Sequence, residues 1–194
     1  MSNNLTKKIL IVVDMQNDFV TGSLKNEMAQ SIIPKIKDKI TKYINDGNLV
    51  FFTRDTHTSN YLETFEGKTL PISHCIKDTS GWYIIPELKD LADNRGIYID
   101  KKTFGHLRLG YCLEENYADI GFYNIDGKDV EITLIGVCTG ICVISNAIII
   151  KTGYPEANVQ VDASCCACIT EESHKTALEA MKLVHIDIIN EGCE

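Results

Sequence analysis

The stretch Leu134-Ile135-Gly136-Val137-Cys138-Thr139-Gly140-Ile141-Cys142-Val143 decides the fold. An apolar, β-branched run ends at Gly136 and an apolar, helix-like run begins after Gly140, so the sequence passes from a buried strand into a helix within a few residues. Cys142 then lies at or just inside a helix N-terminus. There, unpaired N–H groups and positive potential favour a thiolate and can also cradle an oxyanion.

Working outward, strand-like runs alternate with helix-like ones. Residues 9–14, 49–53, 97–100, 130–137, 159–163 and 184–189 read as six strands. Between them, residues 28–46 carry Ile32, Ile33, Ile36, Ile40, Tyr43 and Ile44 at helical spacing, and Gly47 stops the run. Helical segments are also expected over 86–92, 109–123, 141–152 and 170–183, the last capped by Thr170 with acids in its first turn. This β–α order predicts a three-layer α/β fold, with a mostly parallel six-stranded sheet and helices on both faces. Residues 56–85 form a long polar loop, which in a compact domain points to function.

The chain has 194 residues and is 44% hydrophobic, which suits one domain over residues 1–194. Its formal net charge of -8 argues against nucleic acid and anionic membranes as partners. No run is long enough to span a bilayer, and the N-terminus does not resemble a signal peptide. Eight cysteines, Cys75, Cys112, Cys138, Cys142, Cys165, Cys166, Cys168 and Cys193, are therefore expected as reduced thiols in a cytoplasmic protein. Cys165-Cys166-Ala167-Cys168 lacks the second Cys/His pair that a zinc knot needs. Of Cys138 and Cys142, one is read as a nucleophile and the other as a bystander.

In parallel sheets, ligands bind beyond the carboxyl ends of the strands. Asp14, Asp55, Lys101 and Cys142 all fall at those ends. A cysteine nucleophile needs a proton acceptor, which a buried Asp14 can supply, and a cation to balance the charges. Lys101 and Lys102 are the candidates. Asp55 and His57, followed by Glu63, Glu66 and His74, offer imidazole and carboxylate donors for a divalent ion such as zinc, iron or manganese.

From about Lys8 to Ile189 the chain resembles the nicotinamidase and isochorismatase-like cysteine hydrolases. The resemblance is carried by Val13-Asp14-Met15-Gln16-Asn17-Asp18-Phe19, Asp55-Thr56-His57, His74 to Gly81, Lys101-Lys102-Thr103-Phe104 and Gly136 to Val143. The metal loop looks like that of the nicotinamidase branch. The resemblance implies Asp14 as base, Lys101 as triad lysine with Lys102 as fallback, and Cys142 as nucleophile. It implies Asp55, His57 and His74 as metal ligands with either Glu66 or Glu63 as the fourth, and zinc ahead of iron or manganese. Main-chain N–H groups of Cys138 and Cys142 would form an oxyanion hole beside a cis peptide before Cys138. Phe19, and less directly Trp82, would line a ring pocket.

The implied reaction is hydrolysis of nicotinamide to nicotinate and ammonia through a Cys142 thioester, in NAD salvage, with a homo-oligomer as a conceivable assembly. The same resemblance admits an amidase or carbamoyl hydrolase acting on another small molecule, and a non-catalytic binding relative. Two positions depart from the pattern: Gly140 stands where aspartate is usual, and Lys77-Asp78-Thr79 replaces the commoner Lys/Val-Gly-Thr.

Overall fold

The computed structural model describes residues 7–117 and 129–192. Six strands form one sheet: β1 Lys7–Val13, β2 Leu49–Asp55, β3 Gly96–Lys101, β4 Val130–Val137, β5 Asn158–Ala167 and β6 Asp187–Ile189. Their order is β3-β2-β1-β4-β5-β6, and all five pairings are parallel. The helices are α1 Asn17–Val20, α2 Glu27–Ser31, α3 Ile33–Asn45, α4 Phe65–Thr69, α5 Pro86–Arg95, α6 Leu109–Tyr117, α7 Ile144–Gly153 and α8 Glu171–Leu183.

β1 is apolar along almost its whole length because it is covered on both sides. Ile9, Ile11 and Val13 face a cluster with Leu109, Val143, Ala147, Ile150, Leu178 and Met181 from α6, α7, α8 and the turn before α7. Leu10 and Val12 face the opposite cluster, with Ile36, Ile40, Leu88 and Ala92 from α3 and α5. This is the expected three-layer α/β architecture. The chain builds outward from β1 to β3 in one direction, then returns to lay β4, β5 and β6 on the other side. The connections leaving β1 and β4 therefore part, and a crevice opens beyond their carboxyl ends.

Several boundaries differ from the sequence reading, each for a local reason. The helix expected over 28–46 is two helices. Asn26 caps α2 by accepting from the N–H groups of Met28 and Ala29, and Pro34 in the first turn of α3 prevents continuation from α2. β5 runs on to Ala167 because, after an irregularity opposite Leu134–Gly136 in which β5 carries the extra residues, pairing with β4 resumes at Cys166 and Ala167. The segment read as helix from 141 instead opens with a wide π-type turn, Thr139–Val143, before α7. β6 is confined to 187–189, since His185 sits in a turn with φ 61°. The loop over 56–85 contains a 3₁₀ turn, Tyr61–Glu63, and α4, which Thr64 caps. Residues 118–123 of one expected helix, and Cys193, lie outside the described residues. The seven other cysteines are unpaired thiols.

α3 is tied to the sheet by an ion pair between Lys39 and Asp162 of β5 at 2.5 Å, with Ser164 and Asn190 also donating to the carboxylate. Burial works to raise the Asp162 pKa, and these donors, Lys39 foremost, bring it below the usual range. A depressed carboxyl pKa adds stability that is present above the unfolded-state pKa and lost as pH falls through the folded-state value. Asp162→Asn is expected to cost about 2–3 kcal/mol at pH 7, the low end for buried pairs because Lys39 keeps contact with water. Urea denaturation should show this difference at pH 7 and its progressive shrinking as pH falls below the ordinary aspartate value of about 3.8 toward the lower folded-state pKa; a constant difference would contradict the ion-pair account.

Candidate active site and metal centre

Four strand ends supply the site. Directly after β1, Asp14 adopts a left-handed backbone, φ 51°, which is costly for a non-glycine residue and turns its side chain back over the sheet edge. Thr53 of β2 holds it there: the Asp14 N–H donates to the Thr53 carbonyl at 3.2 Å, and the Thr53 hydroxyl donates to Asp14 Oδ1 at 2.7 Å. Lys101, at the end of β3, is 1% exposed. Its ammonium reaches past Asp55 Oδ1 (3.4 Å) to Asp14 Oδ2 (2.7 Å) and lies 3.6 Å from Cys142 Sγ. Lys102 is exposed. Of the two lysines, the structure brings only Lys101 to Asp14 and Cys142.

Burial raises the Asp14 pKa; Lys101 opposes this and Asp55 adds to it, leaving the carboxyl above its ordinary range. Burial, and then the Asp14 carboxylate, push the Cys142 thiol well up. Burial works against the Lys101 ammonium, but its acidic neighbours more than compensate and its pKa is raised. The cluster thus sets the thiol beside the Asp14–Lys101 pair, and the raised Asp14 pKa suits it to take the thiol proton.

Cys142 projects from the turn after β4. The Val137–Cys138 peptide is cis, as the resemblance implied, and the Cys138 carbonyl accepts from Ile141 and Val143. Gly136, φ 115°, is required here: a Cβ would stand 2.1 Å from the Val13 carbonyl oxygen of the neighbouring strand. Asn146 of α7, missed in the sequence reading, is fully buried and donates to the Cys142 and Phe104 carbonyls while accepting from His106 N–H. An asparagine inside the apolar run 141–150 was the available signal.

Asp55, His57, Glu66 and His74 form a second cluster, with one donor atom from each lying within 4.8 Å of the others. His57 Nε2 is 2.9 Å from Asp55 Oδ2 and 3.7 Å from Glu66 Oε1; His74 Nε2 is 3.5 and 3.9 Å from the same two atoms. Burial works to raise the Asp55 pKa, and hydrogen bonds from His57 and His74 overcome it and drive the pKa well below the carboxylate range. His74 Nδ1 donates to the Ile72 carbonyl at 2.8 Å, which leaves Nε2 directed at the cluster, the orientation a ligating histidine needs. Two imidazoles and two carboxylates converging on one point fit a divalent ion of the zinc, iron or manganese type. Glu66 belongs to this group and Glu63 does not.

The two clusters open into one cavity of about 640 Å³, lined by Phe19, Asp55, Glu66, His74, Cys138 and Cys142 among others. Phe19 lies there as expected, its ring 5.5 Å from that of His74. Trp82 is not on this wall. Its ring carries the Arg54 guanidinium at 3.9 Å and its N–H donates to the Thr56 hydroxyl at 2.8 Å, so it braces the end of β2 from behind. Its indole is engaged away from the cavity, and the ring-pocket expectation for it is corrected.

The sequence reading also passed over Gln16 and Asp18. Gln16, fully buried, accepts the Asp55 N–H (2.7 Å) and donates to the carbonyls of Asp55 (2.9 Å) and Trp82 (2.7 Å). Asp18 accepts the N–H of Cys75, next to His74, at 2.8 Å.

Known proteins share this fold. The isochorismatase domain family matches residues 8–190. The nicotinamidase of Saccharomyces cerevisiae is 28% identical over 173 residues, covering 73% of this chain and 80% of the yeast protein. The crystal structure of the pyrazinamidase/nicotinamidase of Streptococcus mutans superposes with a TM-score of 0.76 at 29% identity, over 94% of this chain and all of that one. That of the pyrazinamidase of Pyrococcus horikoshii, in complex with zinc, gives 0.73 at 28% identity, over 94% and 98%. Nicotinamidases are among its homologues, and the chain belongs to the isochorismatase family of hydrolases.

Proposed function

We propose that the protein is a metal-dependent nicotinamidase that hydrolyses nicotinamide to nicotinate and ammonia through a thioester on Cys142. The observation that carries this reading is the joining of two clusters at one cavity: Asp14, Lys101 and Cys142 beside Asp55, His57, Glu66 and His74. The first suits acyl transfer, and the second suits a cation facing the ring of a pyridine amide. When bound, the ion supplies a Lewis-acidic anchor for a ring nitrogen, with zinc the first choice by the resemblance and iron or manganese equally suited to the donors.

The chain's own groups account for the chemistry. Asp14 accepts the Cys142 proton, and Sγ bonds to the amide carbon as the carbonyl π bond opens onto oxygen. The N–H groups of Cys138 and Cys142 receive that oxyanion. As the carbonyl re-forms, the C–N bond breaks, the Asp14 proton passes to nitrogen and ammonia leaves. Asp14, again a carboxylate, deprotonates a water that attacks the thioester; nicotinate departs and the thiol is restored. Lys101 holds its charge beside Asp14 and Sγ throughout, so no step leaves a buried charge alone. Phe19 packs against the ring. The product is a precursor for pyridine nucleotide synthesis, which suits a cytoplasmic salvage role.

One observation favours a second reading. A volume of about 640 Å³ lies in the middle of the roughly 300–1,000 Å³ typical of drug-sized ligands, more than a bare pyridine amide fills. Leu24, Met28, Ile141 and Ile169 add apolar lining to the cavity. An amide of a larger ring acid would occupy it.

Metal-replete protein mixed with nicotinamide should release ammonia and nicotinate in equal amounts. Cys142→Ala should lower release by at least about a thousandfold while nicotinamide binding, read by calorimetry, persists; undiminished turnover would remove Cys142 from the mechanism. Release from larger ring amides but not from nicotinamide would select the second reading. His57→Ala should fold, by circular dichroism, yet lose most of its bound divalent ion in elemental analysis; full metal content would contradict the proposed ligand set.

A further inference from the structure

Position 140 bears glycine where aspartate was expected, and the space beside it is filled from elsewhere in the chain. Sγ of Cys168, just past β5, lies 3.3 Å from where a Cβ at 140 would stand, and it accepts the Gly140 N–H at 3.4 Å. The Cys138 thiol donates to the same sulfur. Cys168 is buried, and its carbonyl accepts from the Asn26 side chain at 2.7 Å, so its own position is held from the far side by the residue that caps α2. One sulfur thus grips both ends of Cys138-Thr139-Gly140, two residues before the proposed nucleophile.

The sulfur's charge suits that task. Main-chain N–H groups at the opening of a helical turn favour an anion. The hydrogen bond from Cys138 lowers the Cys168 pKa most; burial opposes it, the Gly140 and Ile169 N–H groups help, and the thiol is brought down to about 5. Cys142, close by, is pushed the other way. Cys168 is not among the residues that line the cavity.

We infer that Cys168 is a positioning residue: by holding Cys138 and Gly140 it fixes the turn that aims Cys142 and the adjacent main-chain donors, from the space an aspartate at 140 would use. Its kinetic consequence rests on the nicotinamidase reading; its structural consequence does not.

Cys168→Ala should lower kcat for nicotinamide about tenfold or more, the scale of a small misalignment at a reacting centre, while KM and bound metal stay within about twofold. Exchange of the Gly140 amide, followed by NMR, should speed at least about tenfold as its acceptor is lost. Adding Gly140→Asp to Cys168→Ala places a carboxylate in the vacated space and should recover most of the kcat. Wild-type kcat together with unchanged Gly140 exchange in Cys168→Ala would overturn the inference. Should wild type not turn over nicotinamide, the exchange measurement still decides it, and only the functional reading falls. Should Cys168→Ala not fold, Cys168→Val takes its place, because it fills the volume of the thiol and offers no acceptor to the Gly140 N–H. The same loss of kcat and faster Gly140 exchange are expected of it, and wild-type values of both would overturn the inference.

Discussion

An ammonium at the bottom of a dry site organises everything around it. Lys101 is 1% exposed, and an isolated charge there would cost many kcal/mol. It is tolerated because Asp14 and Asp55 flank it at 2.7 and 3.4 Å. The dependence is mutual: without Lys101, two buried carboxylates would face each other and one would take up a proton. In the proposed mechanism the cation keeps Asp14 available as a base and keeps Cys142 Sγ, 3.6 Å away, beside a positive charge when it ionises. Through Asp55 it also links the nucleophile cluster to the donor cluster of His57, Glu66 and His74. Removing one partner from such an arrangement generally costs about 3–5 kcal/mol, so both halves of the site stand or fall with it.

The second constraint is mechanical. A parallel sheet delivers side chains only to its strand ends, and the donor cluster lies on a long loop with little regular structure. The segment after β1 restrains that loop. Gln16 holds the Asp55 main chain and the Trp82 carbonyl, Asn17 donates to the carbonyls of Tyr83 and Ser80, and Asp18 holds Cys75. His74 is therefore placed relative to Asp14 through a few short hydrogen bonds, with its ring packed against Phe19 and Tyr61. Donors spaced for a metal need this, since each unfilled coordination site is sensitive to shifts of tenths of an ångström.

Much of this was legible in the chain itself. The alternation of β-branched runs with helically spaced ones predicts the parallel sheet, because period and composition report burial on one face or two. The acids and the cysteine at strand ends point to the site because a sheet has only one catalytic edge. Choices that depend on distance were not legible. Lys101 and Lys102 are adjacent, but β3 ends at Lys101, which is buried, and Lys102 opens the exposed bend that follows. Glu63 and Glu66 are both acidic and near in sequence, but the turn of α4 carries only the latter to the histidines. Trp82 read as a pocket wall because aromatic residues line ring sites, whereas its indole is held by Arg54 and Thr56. Asn146 escaped notice, and Cys168 read only as part of an incomplete zinc knot, because the partners of both are largely main-chain groups, which leave no pattern in side-chain chemistry.

The central claim is that Cys142 carries the acyl group. The most direct measurement is the mass of the intact, metal-replete protein acid-quenched within its first turnover of nicotinamide, followed by peptide mapping. The account predicts a nicotinoyl thioester on Cys142 that decays as nicotinate appears. Turnover with no acyl adduct at any quench time, or with the adduct on another residue, would contradict it.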